Sequence, residues 1–487
     1  MKPFLGFVPD MDSTTPGVLT DCTQLIPTEK GMAAAPSAVS ISGLGALAAE
    51  CRGAAVLTNT SGTRRTFAGT QTKIYELSSG TWSDMSGATT FTGSSENRWC
   101  FAQFGNAAIA TNDTEKMQAS TAGTFAAIST APKARVVIAS KDFVLAFNTD
   151  DATGSATYGD SPDRWWCSGF QDHTDWTPAV STQCNTGRLI GSGGEIVAAA
   201  PFGANVVAYK SRQMFLGQYV GSPVVWQWDA VPGEQGCVGP EAVVDIGQAH
   251  VFVGEDNIWL YDGTRPIPIS QGSVRQWFYD DLSASYKYRT IVTYDRNNNR
   301  VWIFYPSAIS SGTPDSALVY HLATKKWGRA NRVVEAAMNY VTPGVTWDTL
   351  DTVAATWDTL PDIPWDSQSW QPSGRALAIF NSTHNLVTLT GSGEDSGLTT
   401  GDIGDDEVVS TMTSVVLRFL TEPTTATVTG QTKTGSGATA IAAGSGSIYE
   451  SMFPIIQSGR WHRLAFQFTG NTEVTGVKTN GIGAGKN

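Results

Sequence analysis

Five histidines and six cysteines are the residues from which metal or nucleophilic chemistry would have to be built, and their spacing builds neither. His173, His250, His321, His384 and His462 never fall at metal-ligand spacing from one another or from a cysteine. His250 alternates with apolar neighbours, the pattern of a structural histidine in a strand. Cys22, Cys51, Cys100, Cys167, Cys184 and Cys237 are scattered without a CxxC pair, which reads as reduced, buried thiols rather than a disulfide framework.

Other fragments offer chemistry only superficially. Residues 295–299, DRNNN, alternate oxygen ligands as a calcium loop does, but lack the sixth-position glycine and distal glutamate and sit between two strand-like runs, so a hairpin turn is expected. The GSGG at 191–194 precedes a strand instead of a helix, the wrong context for cradling phosphate. SSGTWSD at 78–84 faintly matches the turn motif of sialidase blades, yet no acid pair or arginine triad accompanies it. No GxSxG elbow, GxxxxGK[ST] loop or HExxH helix is present. Asn59, Asn112 and Asn381 open glycosylation sequons that mean little without a secretion signal. These absences predict a non-enzyme with no cofactor and no metal.

The elements that would position any site are β-strands. The chain has 487 residues, too many for one ordinary domain, and is rich in glycine (50) with only 16% charged residues. Runs of Val, Ile, Phe and Tyr bounded by Gly, Asn and Asp suit pleated sheet, while helical periodicity is scarce. Even SISGLGALAAECRG at 40–53 carries glycines that weaken a helix. The start, MKPFLGFVPDMD, does not read as a signal peptide, and no apolar stretch reaches membrane-span length. A net charge of −12 weighs against tight gripping of nucleic acid and is compatible with a wall past which DNA slides.

A hairpin recurs along the chain. ECRGAAVLTN, turning at Gly53, resembles QFGNAAIATN, turning at Gly105; further copies turn at Lys141, Gly203, Gly247 and Asn297, with a weaker one near Thr383. The mean spacing of the first six turns, about 49 residues, approaches that of four-stranded propeller blades. Tryptophans between the hairpins, Trp166 and Trp176 among them, read as packing that fills each blade's wedge. The expected fold is all-β: a β-propeller of six or seven blades with a second, smaller β-sandwich-like platform.

The expected division is an extended segment over 1–35, the propeller over 36–390, and a C-terminal β domain over 391–487. Within the propeller, 346–370 is a Trp-rich crossover. Its Trp347, Trp357, Trp365 and Trp370 read either as anchors between blades or as an exposed docking strip. Asp402, Asp405, Asp406 and Glu407 form an acidic cluster that either faces a lumen or is a solvated loop.

The order of these segments resembles the tail nozzle, or tail hub (tubular B-type), proteins of short-tailed bacteriophages. The likeness rests on PFLGF at 3–7, PDRWWCSGFQDHTDW at 162–176, the run from AAAPFGANVVAYK to IWLYDG at 198–263, and SGRWHRLAFQFTGN at 458–471. Arg164, Trp166, Asp175, Trp176, Phe202, Gly203, Gly236, Cys237, Tyr261, Asp262 and Gly263 occupy comparable places.

The resemblance implies a virion structural protein of the tail, assembled in the host cytoplasm as a homo-hexameric ring below the portal and a head-tail adaptor protein. Genome retention and ejection would be its role, with double-stranded DNA in transit and not specifically bound, a tail fibre or tailspike as a further partner, and no membrane insertion. The alternative is a propeller that binds or cleaves glycans during host attachment.

Overall fold

The computed structural model describes residues 2–78, 80–151, 158–341, 356, 360 and 375–486. Trp347, Trp357, Trp365 and Trp370 lie outside the described residues. The molecule is a β-propeller joined edge-on to a β-sandwich platform. Helix is confined, among the described residues, to α1 (Arg275–Asp281) and a single 3-10 turn.

Among the described residues, six four-stranded sheets stand as separate blades, and a seventh set of four strands is continuous with the platform. The innermost strands are, in order, Ala54–Thr58, Cys100–Phe104, Lys133–Ser140, Ile196–Phe202, Val243–Asp245, Ile291–Asp295 and Ala336–Val341, which define blades 1 to 7. Each inner strand neighbours the next, and that of blade 7 returns to that of blade 1, closing the ring within the expected six or seven blades. Closure is completed by the N-terminal Pro36–Ser40 strand, which is the outermost strand of blade 7 and pairs Val39 with Thr388.

The hairpin repeat is real, with two of its turns displaced. Gly105, Lys141, Gly203, Gly247 and Asn297 do turn the first hairpins of blades 2 to 6. Gly53 does not: it precedes the first strand of blade 1, whose turn lies at 59–63. Its glycine answers a different need, since a Cβ there would sit 2.2 Å from the Trp99 carbonyl oxygen at φ +129°. The turn near Thr383 joins the second and third strands of blade 7, not the first pair.

The platform is two packed sheets woven from both ends of the chain. In one, Leu25–Pro27 bridges to the outer strand of blade 6 through Arg329 and is followed by Met32–Ala34, Glu473–Lys486, Val408–Thr421 and Met452–Gly459. In the other, the order is Gly6–Phe7, Val18–Thr23, Ser396–Thr400, Trp461–Thr469, Thr425–Lys433 and Ile441–Ser447. Alternation along Thr425–Lys433 sends Ala426 and Val428 inward and Thr425, Thr427 and Thr429 out, as a half-buried strand requires. Phe453 and Phe466 meet edge to face across the interior at 5.1 Å.

Residues 1–35 thus carry five short strands of the platform. Phe4, Phe7, Leu19 and Met32 anchor them in the largest apolar core. The same segment reaches the propeller: Phe7 packs edge to face on Trp277 of α1 at 4.9 Å, and Asp10 accepts hydrogen bonds from the backbone N–H of Gln276 and Trp277. Those are two of the donors that a helix start leaves unpaired.

Candidate functional site

All seven inner strands run the same way, so the segments entering them gather at one mouth of the ring. Arg52, Arg98, Glu195, Glu241, Arg289 and Glu335 each sit one or two positions ahead of a blade's first strand. Together with Arg135 and Tyr288 most of them line an axial cavity of about 360 Å³. This is the position at which a propeller concentrates residues from all its blades.

Blade 2's entry loop spans the mouth. Arg98 pairs with Glu241 of blade 5 at 2.6 Å and donates to the Glu335 carbonyl before blade 7 at 2.8 Å. Glu96 from the same loop receives Arg289 at 2.5 Å and the Tyr288 hydroxyl at 2.6 Å, both leading into blade 6. Arg52 of blade 1 pairs with Glu50 at 2.6 Å and donates to the Ser95 carbonyl. Arg135 of blade 3 pairs with Glu195 of blade 4 at 3.0 Å.

Each of these four arginines therefore has a carboxylate partner, three of them on another blade. The Arg289 hydrogen bond, against the cost of burial, holds Glu96 below its ordinary range. Burial pushes Glu335 up, although its carboxylate accepts the Cys51 N–H at 2.9 Å and meets His384 Nδ1 at 2.7 Å. The Tyr288–Glu96 couple has the composition of a tyrosine nucleophile with its carboxylate, as in some glycosidases. Its phenol, however, is pushed up by burial and the adjacent carboxylate, away from the lowered value a nucleophile needs. What the arrangement does physically is clamp non-adjacent blades across the axis and line the cavity at the mouth with paired charge.

The sequence-selected residues lie elsewhere. Trp166 and Trp176 are buried together in a blade 2–3 core with Cys184 and Val144, and Trp176 Nε1 donates to the His173 carbonyl at 2.8 Å. Phe202 packs at 5.6 Å, tilted, on Tyr261 of the next blade, and a Cβ on Gly263 would touch the Phe202 ring at 3.0 Å. Gly236 packs on the Lys210 carbonyl, and Cys237 is buried beside it. Arg164 lies over the Tyr158 ring, while Asp175 accepts the Thr177 N–H.

Asp402 is a correction: it faces neither a lumen nor solvent. Its side chain is fully buried, bound by Lys433 at 2.7 Å, Arg463 at 3.0 Å and Ser13 at 2.8 Å. Burial opposes its ionisation, but these three donors together outweigh it and hold the carboxyl below its usual range. Asp405, Asp406 and Glu407 are exposed on the following turn, where Asp406 accepts the Trp461 indole N–H at 2.6 Å.

The DRNNN segment is the blade 6 turn: Asp295 accepts from Asn298, and Asn299 is held at φ +53°. His250 is held between Tyr209 Oη at 2.6 Å and the Pro201 carbonyl at 2.8 Å, and His462 between Ser410 and Gln457. All six cysteines are free thiols, five of them buried.

No protein-family model matches the chain, and no curated protein sequence does. Among solved structures it is similar to YCF48 bound to a D1 peptide, at 13% identity and TM-score 0.33, over 60% of this chain and 84% of that one. It is similar also to the computationally designed Ika8 protein, at 12% identity and TM-score 0.37, over 72% and 99%. A third is PorZ, a surface component of the type-IX secretion system of Porphyromonas gingivalis, at 8% identity and TM-score 0.36, over 76% and 44%. Likenesses of this size carry no argument about function.

The mouth residues escaped sequence reasoning because no short motif contains them. The available signal is positional: a charged residue recurring just ahead of an apolar run in six of the seven blades.

Proposed function

We propose that this chain is a structural subunit of a short-tailed phage tail, forming with further copies a ring below the portal and adaptor through which the genome is retained and released. The observation that carries the reading is the braced axial mouth, with Arg98 and Glu96 salt-bridged across the axis on a propeller fused to a platform made from both chain ends. A propeller braced in this way serves as a wall element. DNA would pass along the axis of the assembled ring, between subunits, not through the propeller itself. The net charge of −12 suits a surface that does not hold a polyanion.

Electron microscopy and mass photometry of the purified full chain, with and without a head-tail adaptor protein, test this. Six-membered rings are the expected result. A persistent monomer in the presence of the adaptor would overturn the reading.

The second reading, a glycan-binding or glycan-cleaving attachment protein, is favoured by one observation: the Tyr288–Glu96 couple beside Arg52, Arg98, Arg135 and Arg289 in a cavity of about 360 Å³. Turnover of a glycoside abolished by Tyr288→Phe would support it.

A further inference from the structure

A second cavity, of about 430 Å³, lies where blades 6 and 7, the Pro36–Ser40 strand and the platform meet, and it shares no lining residue with the axial one. Arg300, which opens the second strand of blade 6 (Arg300–Tyr305), lines it. By strand alternation Arg300 shares a face with Trp302 and Phe304, which pack with Leu377 and Leu389 in the core between blades 6 and 7. Leu377 and Leu389 line the same cavity, so the guanidinium stands where that core opens into it.

Among the described residues this guanidinium has no ion pair and no hydrogen-bond partner, and its Nε is buried without one. Asp295, directly across the ladder, is 8% exposed and committed to the hairpin turn, where it accepts the Asn298 backbone N–H at 3.3 Å and Nδ2 at 2.7 Å. Glu473 accepts the Thr28 hydroxyl at 2.7 Å. Burial pulls the Arg300 pKa down, and these two carboxylates oppose that only from a distance. A charge so placed ordinarily has a partner.

The walls add donors. Asp295 is the one acid among the described lining residues, and Arg375, exposed at the rim, brings a second positive charge. Asn471 accepts the Gly393 N–H through Oδ1 at 2.7 Å, which leaves its Nδ2 to donate. The sheet opens on the same side: the pairing of the third strand of blade 7 (Leu386–Gly393) with Pro36–Ser40 shifts register between Leu389 and Gly393, and Thr390 and Gly391 in that interval line the cavity. Irregularities of this kind recur beside binding sites, where they end pairing and re-aim the chain.

We propose that this cavity binds a small oxyanion, a phosphate or carboxylate group free in solution or carried on a few carbon atoms, with Arg300 as its counter-ion. A guanidinium fork matches both groups, and the volume falls in the range of small-molecule sites. Two cations against one committed carboxylate leave the cavity positive on a chain whose formal net charge is −12. The bound anion would join blade 6, blade 7 and the platform, so occupancy stabilises their junction. The site does not depend on the ring reading.

Calorimetric titration of the full chain with inorganic phosphate, glycerol 3-phosphate and succinate, at an ionic strength held constant with chloride, tests this. Saturable binding of at least one probe is expected, weakened roughly tenfold in Arg300→Met and by a smaller factor in Arg375→Gln. The same probe should raise the melting temperature of the parent and leave that of Arg300→Met unmoved. Phosphate binding as tightly as its ester assigns the site to the free ion, and tighter binding of glycerol 3-phosphate or succinate assigns it to an anion on a carbon skeleton. Should Arg300→Met fail to fold, Arg375→Gln, altered only at the exposed rim, carries the comparison. No binding of any probe, or binding equal in parent and variants, overturns the site.

Discussion

Arg98 and Glu241 meet at 2.6 Å across the propeller axis although 143 positions separate them in sequence, and they belong to the entries of blades 2 and 5. Most contacts in a propeller join adjacent blades. This one spans the ring, and with Glu96–Arg289 it makes blade 2 a strut for the opposite side.

Arg98→Ala removes three bonds at once: two to the Glu241 carboxylate and one to the Glu335 carbonyl. Hydrogen bonds to charged groups are worth about 1.5–3 kcal/mol, so a loss of roughly 2 kcal/mol is expected in denaturant unfolding. A double-mutant cycle with Glu241→Gln should show coupling of about 1 kcal/mol. Additive effects would show that the pair does not brace the ring.

Glycines 53 and 105 separate two uses of the same residue. Gly105 is at φ +55° with open space where a Cβ would sit, so Gly105→Val should cost only backbone strain, about 1–2 kcal/mol. Gly53→Val adds a clash with the Trp99 carbonyl and should cost roughly 4 kcal/mol or more. Melting temperatures that rank the two in the opposite order would refute the assignment of Gly53 to close packing.

Asp402→Ala should destabilise the protein by about 3 kcal/mol at pH 7, because it leaves Lys433 buried without its partner. The folded carboxyl titrates below its unfolded value near 3.9, so its contribution is complete above about pH 4 and is lost as the pH falls through the folded value. The gap between parent and variant should therefore narrow on acidification. A gap independent of pH would mean that packing, not charge, accounts for the loss.

His250 provides the second acid-sensitive group. Burial lowers its pKa, so the folded ring stays neutral while the unfolded one gains a proton below about pH 6.5. Its contribution is present above that value and declines as the pH falls toward the folded pKa. NMR titration of the His250 ring should give a midpoint below that of free imidazole, and one at or above about 6.5 would contradict the buried neutral state.

Repetition and alternation made the architecture legible. Apolar runs at nearly constant spacing, each bent at Gly, Asn or Lys-Asp, announce hairpins because turn geometry and strand packing are local properties. Gly53 misled for the same reason: glycine marks both a turn and a close approach, and only the position of Trp99 tells them apart. Asp402 looked like its exposed neighbours Asp405 and Glu407, since Lys433 and Arg463 reach it from distant strands and Ser13 from a turn near the start of the chain.

From the sequence alone came the all-β class, the propeller and its hairpin units, the placing of His250 among apolar strand neighbours and the packing role of Trp166 and Trp176. These follow from short-range preferences that each segment carries with it. Tertiary structure decided which segments face each other: the first 35 residues entering the platform, the Pro36–Ser40 strand closing blade 7, and the arginines paired across the axis. Ring closure brings together residues hundreds of positions apart, and no local pattern encodes the partner of a charge on the far side of a circle.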